Sequence, residues 1–344
     1  MSFINDRNFE SFSSKIKYLT ILLLLILLFI FNCEPPRDNP YDPKSVNVKF
    51  SEITGRITTK VGNPISDVRV FLVLDKISNT VETKSDSEGN YNLKYRYDLQ
   101  QGDSARLIVS KDNYQEVQRA IQIDVNKHDT LNFILDAMPI FMTESIFTIH
   151  ERLFFPGDIY SVTFSTQIID YDGIGDIESV YVIIPLLEKK FTLNYYPPNV
   201  YRITLPCESF PDASLECLIG VDCYFEVVGQ TKIRNRSNAQ RVSRIIYETA
   251  EQIYPYGDTV NNNFTFIWHS VSLPYPFVYG VEIYMLNGLI PQLFYSSAAI
   301  TDTFVSITIP PQSAITQYFW QVLIRDNYNN ISKSNQVLFY INYP

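Results

Sequence analysis

Nine consecutive residues, Asp170 to Glu178 (DYDGIGDIE), hold four carboxylates and two glycines. Calcium is bound by loops of hard oxygen ligands, and glycine permits the tight turn that such a loop needs. Asp170, Asp172, Asp176 and Glu178 are therefore candidate calcium ligands, and no other cofactor has a pattern in the sequence. The spacing is not that of an EF-hand. Gly175 falls at the sixth position, but Ile174 occupies the fifth and Tyr181 the twelfth. The same residues also suit an Asp/Gly hairpin between the apolar runs 162–169 and 177–184.

Three cysteines, Cys207, Cys217 and Cys223, lie close together in the chain. Cys223 alternates with Phe225 and Val227, which puts it on the core face of a strand. Cys207 and Cys217 bracket a polar loop, ESFPDASLE, that a disulfide would staple in an oxidising compartment. Pairing of Cys207 with Cys223 is the alternative. No histidine lies near enough in sequence to make a thiol nucleophile. His150 and His269 read as structural residues. No nucleophile elbow, phosphate loop, HExxH or paired-carboxylate motif occurs, so no catalytic residue is assigned and a non-enzymatic role is expected.

Aromatic residues gather with proline at Tyr195-Tyr196-Pro197-Pro198, Tyr254-Pro255-Tyr256 and Leu273-Pro274-Tyr275-Pro276-Phe277. Rings exposed on a rigid scaffold stack on sugars or anchor a protein partner. Tyr195, Tyr196, Tyr254, Tyr256 and Tyr275 are thus the candidate contacts to a protein or polysaccharide ligand. In the opposing reading they cover module ends and joints. Nucleic acid is excluded as a partner: 28 Lys and Arg stand against 37 Asp and Glu, net −9, with no basic run.

These residues must be positioned by strands. From Val46 onward, short alternating or β-branched runs such as 67–74 (DVRVFLVL), 105–110 (ARLIVS) and 118–125 (QRAIQIDV) recur between turn residues, with almost no helical periodicity. The pattern predicts an all-β protein. About 300 residues of it exceed a single core, which gives three tandem β-sandwich domains at 48–138, 139–251 and 252–344. Asn235 to Val242 (NRSNAQRV) and Asn330 to Val337 (NISKSNQV) are 95 positions apart, each before an apolar run. That is the spacing of tandem immunoglobulin-like sandwiches.

The first sandwich carries Gly55-Arg56-Ile57, then Gly62-Asn63-Pro64-Ile65 leading to Val68 and Val70, then Thr83, Ser85, Asp86, Gly89, Tyr91 and Leu93 in TKSDSEGNYNL. This order resembles the carboxypeptidase regulatory-like domain. The resemblance implies a transthyretin-like, seven-stranded sandwich that serves as an accessory module in surface and periplasmic proteins and has no catalytic residues of its own. The third sandwich has Trp268 in an early strand and Tyr318-Phe319-Trp320-Gln321-Val322 in a late one. In this it resembles fibronectin type III, while the second is immunoglobulin-like only in general pattern.

At the N-terminus, Lys15 and Lys17 precede an unbroken apolar run from Ile21 to Phe31 that ends at Asn32-Cys33. A membrane span needs about 20 apolar residues, so this run suits a signal peptide better. A cysteine closing such a run resembles the lipobox of bacterial lipoproteins. The resemblance implies cleavage after residue 32 and a lipid on Cys33, with the membrane as partner through that lipid. Residues 33–47 are rich in proline (EPPRDNPYDPKS from Glu34 to Ser45) and read as an extended tether. Glu34 after the cysteine favours the outer membrane by analogy with known sorting rules. A plain N-terminal membrane anchor is the alternative.

Overall fold

The computed structural model describes residues 50–74, 80–96, 104–123, 128–153, 157–287, 290–310 and 317–342. Cys33, the segment expected to be a signal peptide and the expected tether lie outside the described residues. The chain is all-β, and its only helical elements among the described residues are 3-10 turns of three residues. It divides into two compact units. The first holds the chain through Thr58, Gly62–Lys111 and Glu116–Leu135; the second holds Thr59–Val61, Asp112–Gln115 and Asp136–Pro344.

In the first unit, two four-stranded sheets supply the layers. One is ordered Asn90–Arg96, Phe50–Thr59, His128–Thr130, with Phe133–Leu135 also on Phe50–Thr59. The other is ordered Thr80–Lys84, Arg69–Leu74, Ser104–Ser110, Val117–Gln122. Alternation fills the core: Val70, Leu72, Leu107 and Val109 are buried while their neighbours in the strand are less so. Two glycines are obligatory here. A Cβ on Gly55 would lie 1.8 Å from the carbonyl oxygen of Leu131. One on Gly89, at φ +79°, would lie 2.4 Å from that of Ile57. The Asp86 turn leading into Gly89 closes as Asp86 Oδ1 accepts the N–H groups of Glu88 (2.9 Å) and Asn90 (2.8 Å).

The second unit is organised by one ten-stranded sheet. Its main path runs Asn194–Tyr196, Val200–Pro206, Asp158–Ile169, Ile140–Arg152, Ile331–Lys333, Gln317–Asp326, Phe277–Asn287, Ile290–Ser296. A five-stranded sheet built on Ile177–Ile184 and Asp222–Gly229, and a three-stranded sheet built on Asn263–Trp268, complete two separate cores. Val180, Val182, Cys223, Phe225 and Val227 fill one; Phe266, Trp268, Trp320, Val322 and Phe339 fill the other. Cys223 lies on the core face as its alternation required.

The two sandwiches of this unit share a sheet because Ile331–Lys333 pairs in parallel with Ile149 to Glu151. The chain crosses between the cores at a single peptide: Ile245 is packed in the first, and Ile246, its neighbour, is buried in the second. This run, the apolar one that follows Val242, forms no strand.

A serine turn recurs in the two sandwiches, offset by two residues from the sequence match. Ser237 N–H donates to Phe225 O (2.9 Å) while Phe225 N–H donates to Ser237 Oγ (2.9 Å). Ser334 N–H donates to Val322 O (2.9 Å) while Val322 N–H donates to Ser334 Oγ (2.8 Å). Each hydroxyl then donates to the carbonyl of the asparagine that follows, Asn238 or Asn335. The serine thus ends a strand pair by replacing a ladder bond, and it does so at a spacing of 97 rather than 95.

Candidate functional site

The carboxylate loop does not gather its four acids around one point. Asp170 begins a turn: its Oδ1 accepts Asp172 N–H (2.8 Å) and its carbonyl accepts Gly173 N–H (3.0 Å), with Gly173 at φ +95°. Glu178 starts to run along the strand Ile177–Ile184 and pairs with Lys232 Nζ at 2.5 and 2.7 Å. It therefore leaves the predicted ligand set: the ladder slips between Ile177 and Ser179, and Glu178 at that irregularity meets Lys232 in the turn after Gly229.

Asp172 and Asp176 turn the other way and meet Asp136, which the sequence pattern did not single out. One carboxylate oxygen from each of Asp136, Asp172 and Asp176 lies within 4.8 Å of the others. Lys60, Asp136 and the loop all belong to the second unit. Asp172 is held at both oxygens by backbone: Oδ1 accepts Lys60 N–H (2.9 Å) and Oδ2 accepts Ala137 N–H (2.7 Å). Asp136 Oδ2 accepts the Thr231 hydroxyl (2.6 Å). The Lys60 ammonium reaches Asp176 at 3.0 and 3.2 Å and stands 2.7 Å from Asp136 Oδ1. The buried Asp136 Oδ1 thus has the Lys60 ammonium as its partner in an ion pair. Burial pulls the Lys60 ammonium down, but the carboxylates of Asp136 and Asp176 outweigh it and hold the group above its ordinary value. Asp170 Oδ2 is buried without a donor. Burial, then the neighbouring carboxylates, push Asp170 up to about 6. Tyr114 and Tyr171 stack beside the loop, with centroids 6.3 Å apart.

The five tyrosines fall on separate elements. Tyr195 and Tyr196 lie in Asn194–Tyr196 at the edge of the ten-stranded sheet, 44% and 43% exposed. Tyr195 donates to Pro198 O (2.8 Å), and Arg202 lies over the Tyr196 ring at 4.7 Å. Tyr254 ends the strand Gln252–Tyr254, and Tyr256 follows it at 61% exposure. Tyr275 is half-buried. Arg244 stacks on it at 4.0 Å, faces Tyr328 at 5.3 Å, and pairs with Asp326 at 3.4 Å. That ring belongs to a packed joint rather than to a free surface.

The three thiols stand unbridged. Cys217 Sγ donates to Ser214 O (3.3 Å). Burial raises all three, Cys223 to about 12. Thiols held above their ordinary value are poor nucleophiles.

The joint between the two sandwiches of the second unit is polar and buried. Asn330 Oδ1 accepts Thr148 N–H (2.9 Å), and its Nδ2 donates to Asp326 Oδ2 (3.0 Å) and Ser243 Oγ (2.8 Å). His150 Nδ1 is 3.1 Å from Ile246 O and 3.2 Å from Ser332 Oγ, and its ring stacks on Tyr160 at 4.4 Å. The Ile246 carbonyl can only accept, which places the proton on Nδ1. Nε2 is then a bare acceptor, buried 3.5 Å from the Asp158 carboxylate. Burial lowers His150 below its ordinary value against the opposing pull of Asp158.

Several solved structures are similar to the chain at low identity. The major pilin subunit of Bacillus cereus is 8% identical, with 86% of this chain and 99% of that chain covered and a TM-score of 0.32. The FN1–FN3 domains of chicken CNTN1 are 9% identical, with 80% and 91% covered and a TM-score of 0.30. A 3-chlorocatechol 1,2-dioxygenase from Rhodococcus opacus is 10% identical over 26% of this chain, at a TM-score of 0.22, and the aligned stretch spans only 61% of that enzyme. At such scores no activity transfers from these proteins. No curated protein matches the chain. Residues 52–136 match the carboxypeptidase regulatory-like family, and the first sandwich is a carboxypeptidase regulatory-like domain.

Proposed function

We propose that the chain is a non-enzymatic, lipid-anchored protein of the cell envelope, most simply of the outer membrane, whose sandwiches serve as spacer and binding domains. Cys33 carries the lipid, the proline-rich segment after it is the tether, and the carboxypeptidase regulatory-like domain is the spacer. The shared sheet of the second unit is the observation that carries the scaffold role. A continuous ladder between Ile331–Lys333 and Ile149 to Glu151, backed by Asn330 and His150, holds two sandwiches as one body. A rigid body of this kind presents loop-borne side chains at fixed separation without spending binding energy on ordering them. Its partner is a protein or a polysaccharide, and not nucleic acid. The adjacent rings of Tyr195 and Tyr196, both exposed, favour the glycan reading.

Mass spectrometry of the detergent-extracted protein tests the anchor. A mature terminus at Cys33 bearing acyl chains is expected, and Cys33→Ala should leave an uncleaved precursor. An intact Met1 or an unmodified Cys33 thiol would rule the anchor out. Binding should fall in pull-down and polysaccharide-affinity assays when Tyr195, Tyr196, Tyr254 and Tyr256 are replaced by alanine. It should persist when 48–138 are deleted behind an intact tether.

A further inference from the structure

We propose that the outer face of the five-stranded sheet binds an acidic polysaccharide, one whose sugars carry carboxylates, through Lys190, Arg234, Arg236 and Arg241. The proposal rests on the reading of the partner as a glycan and adds that partner's charge and its place on the chain. Alternation along Asp222–Gly229 buries Cys223, Phe225 and Val227 in the core and turns Asp222, Tyr224 and Glu226 to the opposite face. The ladders set cations beside them: Arg236 lies opposite Glu226, Arg241 opposite Asp222, and Lys190 opposite Ile183, itself opposite Tyr224. Glu226, only 6% exposed, pairs with Lys190 at 3.2 Å, Arg236 at 3.4 Å and Arg234 at 3.6 Å. Asp222 pairs with Arg241 at 2.5 Å. Four cations thus stand over two carboxylates, a surplus of positive charge on a chain whose net charge is −9. Glu178 and Lys232, at the end of the same sheet, pair with each other and leave that surplus unchanged.

The cations are held in place and still have donors to offer. Lys190 Nζ lies 3.7 Å from the centre of the Tyr181 ring and the Arg236 guanidinium 5.4 Å from that of Tyr224, contacts that restrain both side chains. Arg234, Arg236 and Arg241 are each at least half exposed. The hydrogen bond of Arg241 to Asp222 runs from Nε, so the paired terminal nitrogens remain as donors for a planar carboxylate. Beside Arg241 the face opens into a recess of about 580 Å³, also lined by Leu186, Val221, Asp222 and Tyr224. That is the size of a small-ligand pocket. An apolar wall with a guanidinium beside it suits the ring and the carboxylate of a uronic acid. A peptide would instead add as a strand at a sheet edge. Here Asp222–Gly229 is already paired on both sides, with Ile177–Ile184 on one and Arg234–Arg236 and Gln240–Arg241 on the other. Recognition on this face must come from side chains.

The test titrates the full chain in detergent with polygalacturonate, a polymer of uronic acids, and with two comparators, neutral dextran and poly-glutamate. Polygalacturonate should bind more tightly than either, and its affinity should fall as salt is raised, because exposed charges are screened. Arg236→Gln and Arg241→Gln should each weaken binding about tenfold, the share of one charge-assisted hydrogen bond. Lys232→Gln, which breaks a pair outside the surplus, should leave it unchanged. Asp222→Asn should tighten it by releasing Arg241 and enlarging the surplus, a gain that misfolding does not produce. If dextran binds as well as polygalacturonate and the arginine variants match the wild type, the acidic character is wrong while the glycan reading stands. If poly-glutamate competes on equal terms, the face takes an acidic protein segment and the proposal is overturned. Absence of polygalacturonate binding in both the wild type and Asp222→Asn overturns it outright, and the glycan reading then stands or falls on the tyrosine variants.

Discussion

Two buried polar clusters in the second unit are held by different chemistry. Around Asn330, donors and acceptors are matched: its amide oxygen takes Thr148 N–H, and its amide nitrogen reaches Asp326 and Ser243. Around Lys60, the ammonium pairs with Asp136 and Asp176, and the backbone N–H groups of Lys60 and Ala137 hold Asp172. A matched network around an amide fixes one arrangement of the chain, here the joint between two sandwiches. The Lys60 cluster depends on a single long side chain as well as on the backbone. The joint has one leftover atom, His150 Nε2. A leftover imidazole nitrogen attracts a proton.

The largest effect expected is from Asp172→Ala, because this carboxylate satisfies two backbone donors in the Lys60 cluster. Leaving Lys60 N–H and Ala137 N–H without acceptors should cost about 3–4 kcal/mol. Urea unfolding in EDTA, followed by circular dichroism, measures it. Asn330→Ala is next, at about 2–3 kcal/mol, and its signature is qualitative. Trp268 and Trp320 both lie in the C-terminal core and Cys223 in the other, so tryptophan fluorescence and mass-mapped labelling of Cys223 report the two cores separately. In the wild type the two transitions should coincide, as a single cooperative body requires, and in Asn330→Ala they should separate. Coincidence in the variant would mean that the sheet pairing alone holds the joint.

What was legible in the sequence follows the range of the interactions. The carboxypeptidase regulatory-like domain could be read because its turns are local: Asp86 accepts from Glu88 and Asn90 within a single loop. Cys223 could be placed in a core because alternation along a strand is local too. The carboxylate cluster at Lys60 could not, since Asp136 lies 34 positions before Asp170 and Lys60 contacts Asp172 from 112 positions away. No spacing rule spans such distances. Glu178 shows the converse: it is close in sequence to the other acids, but the fold pairs it with Lys232. The apolar pair Ile245-Ile246 forms no strand, and its apolar character records something else. Successive side chains point to opposite sides there because a different core lies on each side. Tyr275 matched its neighbours in composition, and only Arg244 and Asp326, brought in by the fold, distinguish its packed ring from the exposed ones.

The smallest effect concerns His150 and tests the one leftover atom of the joint. Burial holds His150 below its ordinary value of 6.5. Between the folded and unfolded values, the unfolded chain binds a proton that the folded chain does not. Stability therefore rises with pH across that window: it is full above about pH 6.5, declines as the pH falls through 6.5, and levels off below the folded value. The groups that face the ring set the size of the decline. Ile246 O and Ser332 Oγ hold Nδ1, Tyr160 covers the face, Asp158 favours the charged form and Arg152 opposes it. Asp158→Asn removes the group that favours the imidazolium, so it should deepen the loss between pH 7 and pH 5.5 by moving the folded value further down. His150→Phe keeps a ring against Tyr160 but has no proton to gain. It should be less stable at neutral pH, having lost the bond to Ile246, and should flatten the slope. Urea midpoints read from tryptophan fluorescence at a series of pH values separate the three proteins. A wild-type slope no steeper than that of His150→Phe would show that Nε2 is already satisfied, and the joint would then be fully matched.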